Sequence, residues 1–298
     1  MLVNPCSPDA IRDGRWMRCN FHTHAGTGPG TCGSHGLEEV IDAYRRARYD
    51  ILCVSNHDLF TPTEHLSSEM KLIHGVEYST HPHMLTIGVE KHWGSDHADT
   101  IRLANEAGGY VILCHPNWMG AGYWSDEALS GTSGYRGIEI LNPVIYRLSG
   151  TGFACDTWDR LLSRGKLVFG FGNDDFHIWY DLGRSWTMIY AASGSWSELK
   201  MAMEAGRMYV SSGLRLDTLE LDGGLVHVRA GYFTETWVNR FRYDLIGENG
   251  MKLGSVEGEE ADFRLRGDEA YVRVEVTSEE GFKLFTQPIY DDSRFSLP

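Results

Sequence analysis

Long apolar runs are missing from this chain of 298 residues. Its longest uninterrupted stretches, such as 110–114, fall far short of the roughly 18 residues a membrane span requires, so no transmembrane helix is expected. The N-terminus, MLVNPCSPDAIRDGRW, lacks a basic region followed by an apolar segment, which argues against a secretory signal and makes the cytoplasm the expected location. Basic residues are scarce. Lys and Arg number 27 against 41 Asp and Glu, a net charge of −14 that would repel a long polyanion, so sequence-blind binding of long nucleic acid is not expected. Small anionic substrates remain compatible with that charge if metal ions sit in the site. Cys6, Cys19, Cys32, Cys53, Cys114 and Cys155 show no CxxC spacing, and Cys53 and Cys114 lie inside apolar strand-like runs, as buried reduced thiols do. No internal repeat and no low-complexity linker is visible. With 42% hydrophobic and 23% charged residues, disordered, collagen-like and fibrous classes drop out. The length suits one large α/β barrel, or a mid-sized domain plus a small one.

Apolar, β-branched and aromatic runs recur about every 20 to 35 residues, with helix-period stretches between several of them, the βα alternation of a parallel sheet or barrel. Strands are expected over 17–22, 50–56, 71–77, 84–89, 110–115, 137–141, 167–172 and 186–191, and helices over 37–48, 99–107, 156–164 and 196–204. The last helix opens with Ser195 and Glu198, an S-x-x-E capping box. After Gly213 the pattern changes to short alternating strands, beginning with two around Asp222-Gly223-Gly224, a hairpin signal. Residues 1–212 are therefore expected to form the α/β unit, and 213–298 a small antiparallel β-sandwich docked directly on it.

Many of the 13 histidines fall at the ends of apolar runs. His22 and His24 close the first strand, and in an extended chain residues i and i+2 point to one face, so both imidazoles could bind one metal. An isolated HxH is a weak signal, since histidines are common at strand ends. Here four more strand ends supply His57 with Asp58, Glu77, His115, and Asp175 with His177. That recurrence points to one polynuclear metal site at the carboxyl ends of the strands. Imidazoles and carboxylates suit divalent Zn, Mn or Fe, and Glu77 could bridge two ions.

These residues resemble the polymerase and histidinol phosphatase (PHP) superfamily of metal-dependent phosphoesterases. His22-Thr23-His24 is similar to its first motif, Asn56-His57-Asp58 to its second, Glu77 with His83 to the next pair, Cys114-His115-Pro116 to the third, and Asp175-Phe176-His177 to the last. The resemblance covers about 15–212. It implies a distorted (β/α)7 barrel that holds two or three divalent ions and hydrolyses phosphate monoesters or diesters. It also implies that His22, His24, Glu77 and Asp175 hold one ion, Glu77, His83 and His115 a second, and His57 with His177 a third. The family's usual Asp about five residues after HxH is Pro29 here, within AGTGPGTCGSH. Cys32 or His35 could substitute, or the third site could be weak or empty. The ending, GRMYVSSG followed by a β module, resembles a carbaryl-hydrolase-like branch in which a PHP barrel precedes a β-sandwich.

The expected activity is attack of a metal-bridged hydroxide on a small anionic phosphoester, with Asp175, His177 and Arg184 as catalytic residues. Arg184 is the first candidate for an anion clamp and Arg147 the second. Trp118, Trp124, Trp179 and Tyr180 follow ligand motifs and could form an aromatic wall, or simply pack their loops. His65, His74, His81, His92 and His97 read as structural, although His81 stands close enough to His83 to exchange roles with it. Two rivals remain: carbamate or carboxylic ester hydrolysis on the same cluster, and a non-catalytic binding module with a degenerate barrel. The oligomeric state is not legible in the sequence.

Overall fold

In the computed structural model, residues 1–298 are described apart from 8, 67–68, 91–95, 120–121 and 235–239, so His92 lies outside the described residues. After the short β1 (Leu2–Val3) come β2 (Arg15–Asn20), α1 (Leu37–Arg46), β3 (Ile51–Cys53) and β4 (Lys71–Ile73). Strands β2, β3 and β4 pair in parallel. The crossover α1 buries Val40, Ile41 and Tyr44, an i, i+1, i+4 face, and the Glu39 carboxylate accepts from the Gly36 N–H at its start.

A second sheet follows the chain in order: β5 (Gly75–Tyr78), β6 (Met84–Ile87), β7 (Tyr110–Leu113), β8 (Gly137–Leu141) and β9 (Phe169–Gly172). Helices α2 (His97–Glu106), α3 (Asp126–Gly131) and α4 (Cys155–Ser163) fall between its later strands. Only β7, β8 and β9 are parallel; β5–β6 and β6–β7 are antiparallel. The link 79–83 between β5 and β6 is far shorter than the dozen or so residues a parallel crossover needs, so the chain turns back as a hairpin.

The expected distorted (β/α)7 barrel is not confirmed, and no closed barrel is found among the described residues. Among the described residues the ladders form separate sheets within a mixed α/β fold. One seam is the chain itself, which leaves β4 at His74 and re-enters the second sheet as β5. At the other seam a side chain replaces the ladder: Thr187 Oγ1 accepts from Gly172 N and donates to Gly172 O, both at 3.0 Å. A Cβ on Gly172 would come within 2.4 Å of Val210 Cγ1, so glycine permits this close approach.

Next come β10 (Trp186–Ala191), α5 (Trp196–Glu204) and β11 (Met208–Ser211), with β10 antiparallel to both β2 and β11. The Ser195 hydroxyl caps α5 by accepting from the Glu198 N–H. Beyond it the chain runs through β12 (Leu214–Asp222), β13 (Leu225–Tyr232), β14 (Phe241–Ile246), β15 (Lys252–Gly258), β16 (Glu260–Arg264), β17 (Tyr271–Thr277), β18 (Lys283–Thr286) and β19 (Ile289–Asp291). All their pairings are antiparallel, and the expected hairpin at 222–224 is present, with Gly223 and Gly224 at φ +51 and +76. Strands β12, β13 and β16 form their own sheet, whereas β18 pairs with β11 and so continues the ladder that holds β10 and β2.

Candidate metal centre

Strand β2 ends before the HxH pair because Asn173 intervenes: its Oδ1 accepts from Phe21 N at 2.8 Å, where a ladder bond would otherwise form. The chain nevertheless stays extended, and Thr23 bridges Phe176 in parallel. His22 and His24, both fully buried, thereby face the residues that follow β9. His57, beyond β3, bridges Glu77 on β5 across the first seam. His83 sits just before β6, and His115 follows β7.

Glu77 is the centre of the cluster. Its Oε1 lies 2.9 Å from His83 Nδ1 and 3.4 Å from His115 Nε2. Its Oε2 lies 2.8 Å from His57 Nδ1, 3.1 Å from His22 Nε2 and 3.2 Å from His24 Nε2. Asp175 Oδ1 is 3.1 Å from His22 Nε2, 3.2 Å from His24 Nε2 and 3.5 Å from His177 Nδ1. The six imidazoles thus come together around two carboxylates.

The donor set fits divalent cations. His22 Nε2, His24 Nδ1, Glu77 Oε2 and His115 Nδ1 are buried without a hydrogen-bond partner. His22 Nε2 and Glu77 Oε2 even approach to 3.1 Å without hydrogen-bond geometry, the arrangement of lone pairs directed at a shared cation rather than at each other. Three four- or three-residue sets lie within metal-binding range of one another: His22, Glu77, Cys114 and His115; His22, His24 and Asp175; and His57, Glu77 and His83. A fourth, unlike the others, joins His24, Cys32, His57 and His177.

Charge follows geometry. Burial alone would depress His22 and His24, yet Asp175 and Glu77 push both well above the ordinary imidazole range. Burial opposes ionisation of Glu77 and Asp175 too, but His22 leads the surrounding imidazoles in holding both carboxyls well below the carboxylate range. Burial pushes His83 down. His57 rises to about 9, burial being outweighed by Cys32 and Glu77, and the Cys32 thiol falls to about 4 because His177, His24 and His57 outweigh its burial.

The backbone is held in costly conformations at this site. His115 has φ +28, Asp175 φ +51 and Asp58 φ +49, left-handed values that cost about 1–3 kcal/mol each in a non-glycine residue and cluster at working sites.

Sequence reasoning missed the residues that orient the ligands. Glu139, inside β8, sits 2.9 Å from His22 Nδ1 through Oε1, which also accepts from Asn173 Nδ2 at 2.8 Å. Its Oε2 accepts from His115 N and from Asn142 Nδ2, both at 2.9 Å. Asn142 Nδ2 also reaches Asp175 Oδ2 at 3.1 Å. The signal was a lone carboxylate within the apolar run Gly-Ile-Glu-Ile-Leu. Asp174, next to the ligand candidate Asp175, accepts from the N–H groups of Gly183, Arg184 and Ser185 and from the hydroxyls of Tyr44 and Tyr49, and so anchors the loop.

The cluster opens into a cavity of about 260 Å³ lined by His57, Glu77, His83, His115, Asp175 and His177 together with Trp118, Val144, Ile145, Arg147 and Leu148. Arg147 holds Asp181 with two bonds, 2.9 and 3.1 Å, and Asp181 in turn accepts from His177 N. Arg184 lines a different cavity, where it donates to Tyr180 O and stacks on the Tyr180 ring. Of the aromatic candidates, Trp118 stands 5.1 Å from His115 in the cavity wall. Trp124 is buried and donates to His83 O. Trp179 stacks on His35 at 3.9 Å, and His35 belongs to none of the metal groups. Tyr123, which the sequence did not single out, accepts from His83 N and bonds His81. His81 stacks on His83 from outside the ligand sets, His97 bonds Pro82 O, and His74 pairs with Glu64 and Glu90.

No family model matches the sequence, and no curated protein is similar to it. Among solved structures, the chain is similar to a two-domain protein from Bacteroides vulgatus ATCC 8482 that contains a predicted PHP-like metal-dependent phosphoesterase. The identity is 15%, with 93% of this chain and 96% of that one covered at a TM-score of 0.52. Two further matches are the lesion-specific endonuclease Q from Pyrococcus furiosus (12% identity, 64% of this chain, 56% of that one, TM-score 0.47) and endonuclease Q bound to a 27-mer duplex with an abasic lesion (11%, 64%, 57%, 0.49). No helix among the described residues is long and apolar enough to cross a membrane. The likeness to the two-domain Bacteroides vulgatus protein shows that this chain shares its overall fold.

Proposed function

We propose that this chain is a metal-dependent hydrolase of small phosphate monoesters or diesters. The observation that carries this reading is the convergence of His22, His24, His57, His83, His115 and His177 on two buried carboxylates, Glu77 and Asp175, which line a cavity that also presents Arg147. His22, His24, Glu77 and Asp175 would hold one divalent ion, and Glu77 with His83 and His115 a second; zinc, manganese or iron suits these donors. Such ions supply Lewis acidity and a water acidic enough to attack at neutral pH.

The protein's own groups do the rest. Glu139 fixes the His22 ring by accepting at Nδ1, which leaves Nε2 directed at the cluster. Asp181 holds the Arg147 guanidinium at the cavity, where it faces the phosphoryl oxygens and neutralises charge that builds on them. We assign the anion clamp to Arg147 rather than Arg184 because Arg147 lines the same cavity as the ligand candidates, whereas Arg184 lines another. Val144, Ile145, Leu148 and Trp118 narrow the entrance, and the cavity volume suits a small ester.

The test is metal analysis of the purified protein with hydrolysis of p-nitrophenyl phosphate, bis-p-nitrophenyl phosphate and p-nitrophenyl acetate before and after chelation. Two or more ions per chain and chelator-sensitive phosphate release are expected. Acyl hydrolysis alone would replace this reading with a carbamate or ester hydrolase, and neither metal nor turnover would leave a binding module. Arg147→Ala should lower kcat/KM on the phosphate substrate by about 10- to 100-fold, the worth of a charge-assisted hydrogen bond, and leave acetate hydrolysis largely intact. Equal losses on both substrates would remove the clamp role.

A further inference from the structure

The set formed by His24, Cys32, His57 and His177 differs in kind from the rest of the cluster, because it offers a thiol and no carboxylate. Each of the four offers a ligand atom within 4.8 Å of the others. The donors of a tetrahedral zinc site with Zn–N near 2.0–2.1 Å and Zn–S near 2.3 Å stand about 3.3–3.8 Å from one another, a spacing these side chains can reach with small adjustments. Three imidazoles and one thiol are a complete tetrahedral set without any carboxylate.

The loop around Cys32 is built to hold it there. Gly26 N donates to His35 O at 2.7 Å, so the segment folds back on the end of β2. Gly33 crosses Ala25 so closely that a Cβ would come within 2.6 Å of the Ala25 backbone. The next residue, Ser34, is tied to the same carbonyl of His177 through its N–H at 3.1 Å and its hydroxyl at 2.6 Å. Cys32 is thus clamped on both sides beside a ring of the trio. The other cysteines fall elsewhere: Cys6, Cys19, Cys53 and Cys114 are buried, Cys155 lies on α4, and Cys32 is exposed.

We infer that Cys32 is a metal ligand, completing a thiolate site at the outer edge of the centre with His57, His177 and His24, the last shared with the site of His22, Glu77 and Asp175. The inference rests on the metallohydrolase reading and adds to it a division of labour. The outer site, with sulfur, prefers zinc, cobalt or ferrous iron, whereas the sites around Glu77 and Asp175, with nitrogen and oxygen, also accept manganese. Zinc should therefore fill more sites per chain than manganese does.

Cobalt(II) substitution of the full-length, metal-stripped protein reads this directly, since thiolate ligation gives a near-ultraviolet charge-transfer band that nitrogen and oxygen donors do not. The wild type should show the band. Cys32→Ser should lose it and bind one cobalt fewer per chain, while Cys114→Ser, at the thiol nearest the other ligand set, should keep it. In parallel, zinc should slow alkylation of Cys32 by iodoacetamide, followed by peptide mass spectrometry, by about tenfold or more, because a metal-bound thiolate is a poorer nucleophile. Cobalt that binds with visible bands alone, or a band that survives in Cys32→Ser, would overturn the thiolate site and leave the nitrogen and oxygen centre standing. An unchanged alkylation rate in the presence of bound zinc would do the same. Absence of any bound cobalt would overturn both readings.

Discussion

Glu139 holds His22, the His115 backbone, Asn142 and Asn173 with two buried oxygens. Glu139→Gln keeps the shape but removes the charge that fixes the His22 tautomer and places an amide N–H where an acceptor is needed. Metal affinity should fall by about 10- to 100-fold, the usual cost of losing a group that orients a ligand, with the far-ultraviolet circular dichroism unchanged. A chelator-competition titration measures it, and an unaltered affinity would reduce Glu139 to packing. Most of the ligand candidates were readable because they stand where an apolar run stops, a pattern that local sequence records, whereas His83, just before β6, came only from the family resemblance. Glu139 was not, because its meaning depends on the strands beside β8. Arg147 and Arg184 show the same limit: both follow strand ends, and only the path of 143–148 and of the Tyr180 loop decides which guanidinium reaches the cavity.

At the scale of elements, α4 is bound to β17 through one buried ion pair. Arg273, 1% exposed, donates to Asp159 at 2.6 and 2.9 Å, and Tyr271 donates to the same carboxylate at 2.9 Å. Arg273→Met should destabilise the fold by about 3–5 kcal/mol in urea unfolding, because it leaves the Asp159 charge buried without its partner. A loss below 1 kcal/mol would mean that solvent reaches Asp159. The turn before β17 supplies a pH-dependent contribution. Burial raises the Glu269 carboxyl, but the N–H groups of Arg266 and Gly267, both at 2.9 Å, outweigh this and hold it below its ordinary value. A depressed folded-state value means the stabilisation is present above the unfolded pKa of about 4.3 and is lost as pH falls through the folded one. Wild type and Glu269→Gln should therefore differ in stability at neutral pH and converge in acid; a constant difference would refute the carboxylate's role. The helices were legible from their 3.6-residue apolar faces, as α1 and α5 show, whereas the six-residue α3, capped by Ser125, was too short to carry a period. Strand direction was not legible, and β5–β6 turned out antiparallel because its connection is too short to cross over.

Across the whole molecule, the ladder passes from β2 through β10 and β11 into β18, with Tyr209, Val210 and Ser211 opposite Thr286, Phe285 and Leu284. A chain cut after residue 212 would expose that edge and the apolar residues beneath it. It should aggregate or unfold at lower temperature than the full chain, which should melt in one transition; a soluble, cooperatively folding 1–212 fragment would show that the ladder is dispensable. Sequence by itself determined the residue types of the centre, the four longer helices, the change to antiparallel strands after Gly213 and the hairpin at 222–224, because each depends on neighbours within a few positions along the chain. Only the tertiary structure decided that the sheets stay open, that Glu77 faces five imidazoles, that Arg147 shares the cavity and that Cys32 joins three histidines. Those relations join segments as distant as β2 and the loop after β9, and contacts across such separations are set by how the sheets pack, which no local pattern encodes.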